Sequence, residues 1–256
     1  MNQMVNLRAG LALVLQTVQG LIRERILYNI IFASLFLLFM GYLGALLVYG
    51  HQERVMMDFG VFINAFSVFG VAASAGARTV RLESESRLVY PLLSRPISRV
   101  LYYFSRWLGI SVFLLLNLIL LNVVLWFGLK ATGGSPNSAL FQAMGLVWVE
   151  STFVVALATF FSMFFKPGLS VMSVITLVFI GHNHEQLAYL KQKGGGAGFS
   201  LMQNLTPDLG ALLLDMRVYY DQPLSSSEFL LRAGYGLGWA LMFVLIGNAI
   251  FFRKNL

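Results

Sequence analysis

Twenty-five consecutive residues, Ile26 to Gly50, contain no Asp, Glu, Lys, Arg or His, and that run restricts what the backbone can become. At ~1.5 Å per residue a helix of this length covers the ~30 Å hydrocarbon core of a bilayer, where every peptide group must be bonded internally. Comparable apolar runs recur at about 55–77, 107–129, 141–165, 169–190 and 229–252, which makes six predicted spans. Only 11% of the side chains are charged and the mean hydropathy is +0.75. A water-soluble surface carries roughly a quarter charged residues, so the expected fold is an all-α polytopic membrane protein, residues 1–256 forming a single transmembrane domain.

Ahead of the first span, Leu7, Leu11, Val14, Leu15, Val18 and Ile22 recur at helical spacing. The apolar core from Ala9 to Ile22 is too short to cross, so residues 7–25 are expected to lie in the membrane surface, anchored by Arg8 and Arg23-Glu24-Arg25. A soluble helix packed on the protein is the alternative. The polar opening MNQMVNLRAG reads as no cleavable leader, leaving the first span as the targeting signal.

Within the spans, small residues predict close helix approach at Gly41 and Ala45 and along Ala72 to Gly76. Asn117 and Asn122 should face other helices, because an amide turned to lipid lacks partners. Lys166-Pro167-Gly168 predicts a sharp stop between spans. Residues 191–228 form a polar outer region with a GGGAG hinge and an amphipathic piece from Leu209 to Tyr220, and Arg232 is placed to snorkel outward.

Charge sets the orientation. With the N-terminus inside, the cytoplasmic face takes twelve of the 18 Lys and Arg residues: Arg8, Arg23, Arg25, Arg78, Arg81, Arg87, Arg95, Arg99, Arg106, Lys166, Arg253 and Lys254. Both termini and the 78–106 loop are therefore expected to be cytoplasmic. The net charge of +7 lies at span ends, beside lipid headgroups, so a nucleic-acid partner is not expected. The absence of cysteine excludes disulfides, a thiol nucleophile and thiolate metal ligands.

The 78–106 loop concentrates charge. Arg81 with Glu85 and Glu83 with Arg87 are i,i+4 pairs worth ~0.3 kcal/mol each, consistent with a helix that Pro91 ends after Tyr90. A second helix is expected to start with Ser94 as cap and Pro96 in its first turn and to run into span three. This predicts a short helix across the membrane surface, a corner, and re-entry into the bilayer. A solvated loop with no partner is the plainer reading.

Glu83-Ser84-Glu85-Ser86-Arg87 followed by Leu92-Leu93-Ser94-Arg95-Pro96-Ile97-Ser98-Arg99 resembles the membrane subunit of ABC-2 type transporters, in the permease group that includes the component associated with multicopper-enzyme maturation. The interfacial helix, six spans, Asn204-Leu205-Thr206-Pro207 and the basic end Phe251-Phe252-Arg253-Lys254 fit the same pattern. Leu88-Val89 stands where family members often carry Gly-Thr. The resemblance implies the permease of an ATP-driven exporter in the bacterial cytoplasmic (inner) membrane, working as a pair of copies or close paralogues. Each copy would be gripped by a separate ATP-binding subunit through a coupling helix at Arg78, Arg81, Leu82, Glu83, Glu85, Arg87, Leu88 and Tyr90. Its corner would lie at Pro91, Ser94, Arg95, Pro96 and Arg99. The chain itself has no G-x-x-x-x-G-K-[ST] phosphate loop. It is therefore not expected to be an enzyme alone or to bind a cofactor directly, ATP and Mg²⁺ belonging to the partner.

Ionisable groups inside the bilayer are the other candidates. Glu150 on span four and His182, His184 and Glu185 on span five fall at similar depth and are expected to border an outward-facing cavity, with a hydrogen-bonded pair near the wet interface as the plainer reading. Such a set suits zinc or copper in principle, but histidines two apart on one helix point in different directions, so no metal is assigned. An intramembrane enzyme is a rival reading, without an H-E-x-x-H or G-x-S-x-G motif to carry it. An ion-coupled carrier is another, without clear inverted repeats.

Overall fold

The computed structural model describes residues 2–48, 50–85, 99–193, 206–214, 217–218 and 220–253. The protein is all-helical among these residues. Its helices are α1 (Asn2–Ile22), α2 (Arg25–Leu47), α3 (Gln52–Glu85), α4 (Arg99–Ala131), α5 (Ser138–Ser162), α6 (Pro167–His182), α7 (His184–Gln192) and α8 (Ser226–Arg253), with a 3₁₀ turn at Gly210–Leu212. Five helices are long and apolar enough to cross a membrane: Ile30–Leu47, Gln52–Arg78, Val100–Ala131, Ser138–Ser162 and Ser226–Ile250. Exposed Phe32, Phe36, Leu116, Ile119 and Leu245 on their outer faces, and Met172 and Phe179 on the shorter α6, suit a hydrocarbon solvent.

Helix α5 is the axis of the bundle. Every residue from Ser151 to Thr159 is buried, as expected of a helix apolar all round. It packs most extensively on α3 and α8 and also meets α4 and α6. Between apolar helices in lipid the drive is van der Waals fit rather than expulsion of water, so small residues decide the spacing. The expected thin face of α3 supplies it: Ala72, Ala73, Ala75, Gly76 and Ala77 are all buried, and a Cβ on Gly76 would lie 2.6 Å from Ala158 Cβ and 3.2 Å from Val155 O. Gly41 likewise admits α3, its imagined Cβ 3.0 Å from Phe59 Cβ. Asn117 is buried as expected, while half-buried Asn122 donates its Nδ2 to Leu118 O of its own helix (2.9 Å).

Two expectations need correction. The segment Arg78–Glu85 is not a separate helix lying across the surface; it is the unbroken end of α3, whose 34 residues span about 51 Å. The side chains of 79–99, the backbone of 86–98, and with them the contacts of Arg81, Leu82, Glu83, Glu85, Arg87, Leu88, Tyr90, Pro91, Ser94, Arg95, Pro96 and Arg99, lie outside the described residues. Second, the predicted span 169–190 is not one helix. It ends at His182 and restarts at His184, because the Gly181 carbonyl is taken by the Leu209 N–H (3.1 Å) and Asn183 turns its Nδ2 back to Phe179 O (2.7 Å). The outer piece 209–220 forms a strap: among its described residues Gly210–Leu212 make a 3₁₀ turn, residues 217–218 are helical, and Leu209, Leu212, Leu214 and Val218 are buried in the bundle.

Helix α1 packs along the start of α4 through Gly10, Leu13, Thr17, Val18 and Leu21, leaving Leu11, Leu15 and Ile22 exposed. The helix therefore carries an apolar face on each side, one packed on the protein and one exposed. Arg106, expected to mark the boundary of a span, is instead 4% exposed, donating to Thr17 Oγ1 (2.7 Å) with its guanidinium 5.3 Å from the Tyr102 ring centre.

Candidate functional site

Helices α3, α5 and α6 enclose a cavity of about 200 Å³ in the half of the bundle nearer the strap. Its α3 wall is Phe62, Ala65, Phe66 and Phe69, an i, i+4, i+7 aromatic stripe that helical periodicity places on one face. Helix α5 contributes Val147, Glu150, Ser151 and Val154, α6 contributes Val178 and His182, and Leu213 of the strap closes one side. Phe62 and Phe66 are 65% and 58% exposed on the bundle's outer surface, so the cavity opens between helices toward lipid.

Glu150 and His182 form its polar end. Glu150 Oε1 lies 3.3 Å from His182 Nε2, with both side chains largely buried. His182 Nδ1 lies 3.0 Å from Val178 O. A carbonyl only accepts, so Nδ1 carries a hydrogen and donates it.

The structure thus brings Glu150 and His182 together but separates the other two expected members. His184 begins α7 beyond the break at Asn183, and Glu185 is exposed. No three His, Asp or Glu side chains gather in a metal-binding group among the described residues. The aromatic stripe and Leu213 were not anticipated. The spacing of Phe62, Phe66 and Phe69 was a usable signal, whereas nothing local points Leu213 inward.

Polar contacts stitch the strap over this end. Gln142 and Leu224 exchange two hydrogen bonds, Nε2 to Leu224 O (3.0 Å) and Leu224 N to Oε1 (2.7 Å). Asn137 caps α5 through Leu140 N and donates to Val218 O, and Tyr235 Oη accepts from Asp208 N. Arg232, rather than snorkelling outward, donates to Ala211 O (2.7 Å) and pairs with Glu228 (2.7 Å). Replacing Arg232 by Met removes one charge-assisted bond to the strap, each worth ~1.5–3 kcal/mol before screening of the half-exposed pair. Hydrogen exchange at the Leu209 and Leu212 amides should accelerate about tenfold, read by mass spectrometry on the detergent-solubilised chain.

At the opposite end of the bundle, Arg78 on α3 reaches Glu24 in the α1–α2 turn (3.8 Å), both about a third exposed. This is a surface pair of at most ~1 kcal/mol. No protein-family model matches the chain, and no curated protein matches it.

Proposed function

We propose that this chain is the membrane-embedded permease subunit of an ATP-driven exporter of the ABC-2 type, coupling nucleotide hydrolysis on a separate ATP-binding subunit to movement of a substrate. The observation that carries the reading is α3: one continuous helix joins the Phe62–Phe69 cavity wall to the charged segment ending at Glu85. The helix runs seven residues past its apolar window, which closes at Arg78. A continuous α-helix is stiff, so a push on its charged end is delivered to the cavity wall. A phosphate loop is missing from the sequence, and the energy source is accordingly assigned to a partner. In this reading α6 and α7 together make a sixth, broken crossing, both termini and the charged end of α3 face the cytoplasm of a bacterium, and two permease copies pair.

Reversing Glu83 and Glu85 to Lys tests the grip. Purification of the wild-type chain from native membranes should co-isolate a protein with a phosphate loop, and the double reversal should reduce that recovery at least tenfold without changing the chain's own yield. Equal recovery in both, or an active chain needing no ATPase, would overturn the assignment.

A further inference from the structure

We propose that Asn64, Ser67 and Asn117 hold internal water in the middle of the bundle, on the seam between α3 and α4 and beside Met144 of α5. Two glycines fix how these helices meet. A Cβ on Gly60 would run into the Leu125 side chain and one on Gly128 into the Met56 methyl group, so α3 and α4 pack antiparallel with these residues in contact. On α3 the helical repeat carries that face from Met56 and Gly60 to Asn64, Ser67 and Val71. On α4 it runs from Gly128 and Leu125 back to Leu121, Asn117 and Leu114. Two further turns from the Gly60–Leu125 contact bring Ser67 level with Asn117, with Asn64 one turn away. These positions fall close to the midpoints of the apolar stretches Gln52–Arg78 and Val100–Ala131, far from either aqueous end.

All three side chains are buried, Asn64 and Ser67 wholly and Asn117 at 4% exposure. Asn64 Nδ2 donates to Met144 Sδ (3.5 Å), a weak acceptor. Asn64 Oδ1, Ser67 Oγ and both polar atoms of the Asn117 amide have no hydrogen-bond partner among the described residues. Thr17, Ser34, Ser74, Ser111 and Thr159 each return the hydroxyl to a carbonyl four residues back in their own helix, the ordinary recourse of a hydroxyl in an apolar helix. Ser67 makes no such bond, which leaves its hydroxyl available to the seam. Buried polar groups left dry are costly, and opposed groups that fail to bond one another are what a bridging water joins. Water also matches the set. Its hydrogens suit Asn64 Oδ1 and Asn117 Oδ1, and its lone pairs accept from Asn117 Nδ2 and the Ser67 hydroxyl, within the roughly two to four bonds of a buried water. A metal cation fits worse, because Asn117 Nδ2 presents hydrogens and neither helix face carries a charged residue.

The site stands independently of the exporter reading and is tested on the full chain alone, in phosphatidylcholine nanodiscs. Short synchrotron X-ray pulses turn water into hydroxyl radicals where it sits, and methionine beside it is converted to the sulfoxide, which mass spectrometry reads. Met144 and Met56 are both buried, at 4% and 2% exposure, and Met56 lies nearer a helix end. Internal water predicts at least fivefold more oxidation of Met144 than of Met56. Met144 also borders the apolar groove between α4 and α5, so dependence on the polar groups is the second readout. Asn117→Leu, close in volume, should cut Met144 oxidation at least fivefold and lower Tm by a few degrees, since it leaves the water and its other partners short of bonds. Ser67→Ala, a smaller change, should cut the oxidation at least twofold and keeps the test decisive if the leucine variant does not fold. Met144 as protected as Met56, oxidation unchanged by Ser67→Ala, or a higher Tm for Asn117→Leu, the sign expected when a dry amide is removed, would each overturn the proposal.

Discussion

Replacing Gly76 by Ala should destabilise the solubilised chain by about 1–3 kcal/mol, the usual cost of forcing a methyl group into a filled contact. The added Cβ meets Ala158 Cβ at 2.6 Å and the Val155 carbonyl at 3.2 Å, and neither is the mobile tip of a long side chain. Two helix backbones would have to separate along the most extensive seam of the bundle, that between α3 and α5. Gly76→Leu, with three more carbons in the same place, is expected to prevent assembly altogether. The control is six residues away on the same helix: a Cβ on Gly70 meets nothing within 4 Å, so Gly70→Ala should be neutral or stabilise by up to ~1 kcal/mol through helix propensity. Melting in detergent reads the contrast, Gly76→Ala lowering Tm by roughly 3–10 °C for a chain of this size. Equal Tm values for the two variants would mean that the α3–α5 seam is looser than described.

The second large effect concerns α3 as a lever. Thr79→Pro puts a residue without an N–H one position past Arg78, removing a bond to the carbonyl four residues back and clashing with it, at a cost of about 3 kcal/mol or more if the helix stays straight. The helix should relieve this by kinking. Under the exporter reading, the charged grip lies beyond the kink and the cavity wall before it, so binding of the ATPase survives and coupling fails. ATPase co-isolation should stay within twofold of wild type while ATP-dependent transport in proteoliposomes falls at least tenfold. Undiminished transport by the kinked variant would show that α3 does not carry the force.

The legible and illegible parts of this fold divide along physical lines. Apolar runs of twenty or more residues announced helices, since in hydrocarbon the backbone has few alternatives, and small residues at Gly41 and Ala72–Gly76 marked contacts that the structure contains. The break at Asn183 was hidden because its cause lies elsewhere in the chain, in Leu209 claiming the Gly181 carbonyl. Inward strap residues were hidden for the same reason: Leu209, Leu212 and Leu224 look like scattered apolar residues in a polar region until Gln142, Tyr235 and Arg232 hold their backbone down. Arg106 showed that a basic residue next to a span need not mark its edge when Thr17 of another helix receives it. Of the four ionisable groups expected to share a cavity, depth alone correctly paired Glu150 with His182, and the turn between α6 and α7 displaced His184 and Glu185.

The strap's tethers end on different helices: Leu209 on α6, Leu224 on α5, and Asp208 and Ala211 on α8. No single tether can be released with profit, because the survivors keep the segment seated and the freed donor gains little. Release of the strap is consequently cooperative. Six bonds, to Gly181, Tyr235, Arg232, Asn137 and twice to Gln142, at ~1 kcal/mol net apiece leave it released less than about one part in ten thousand of the time. One side of the cavity is therefore held shut by many small contacts at once, while its Phe62–Phe66 side lies at the exposed surface of the bundle.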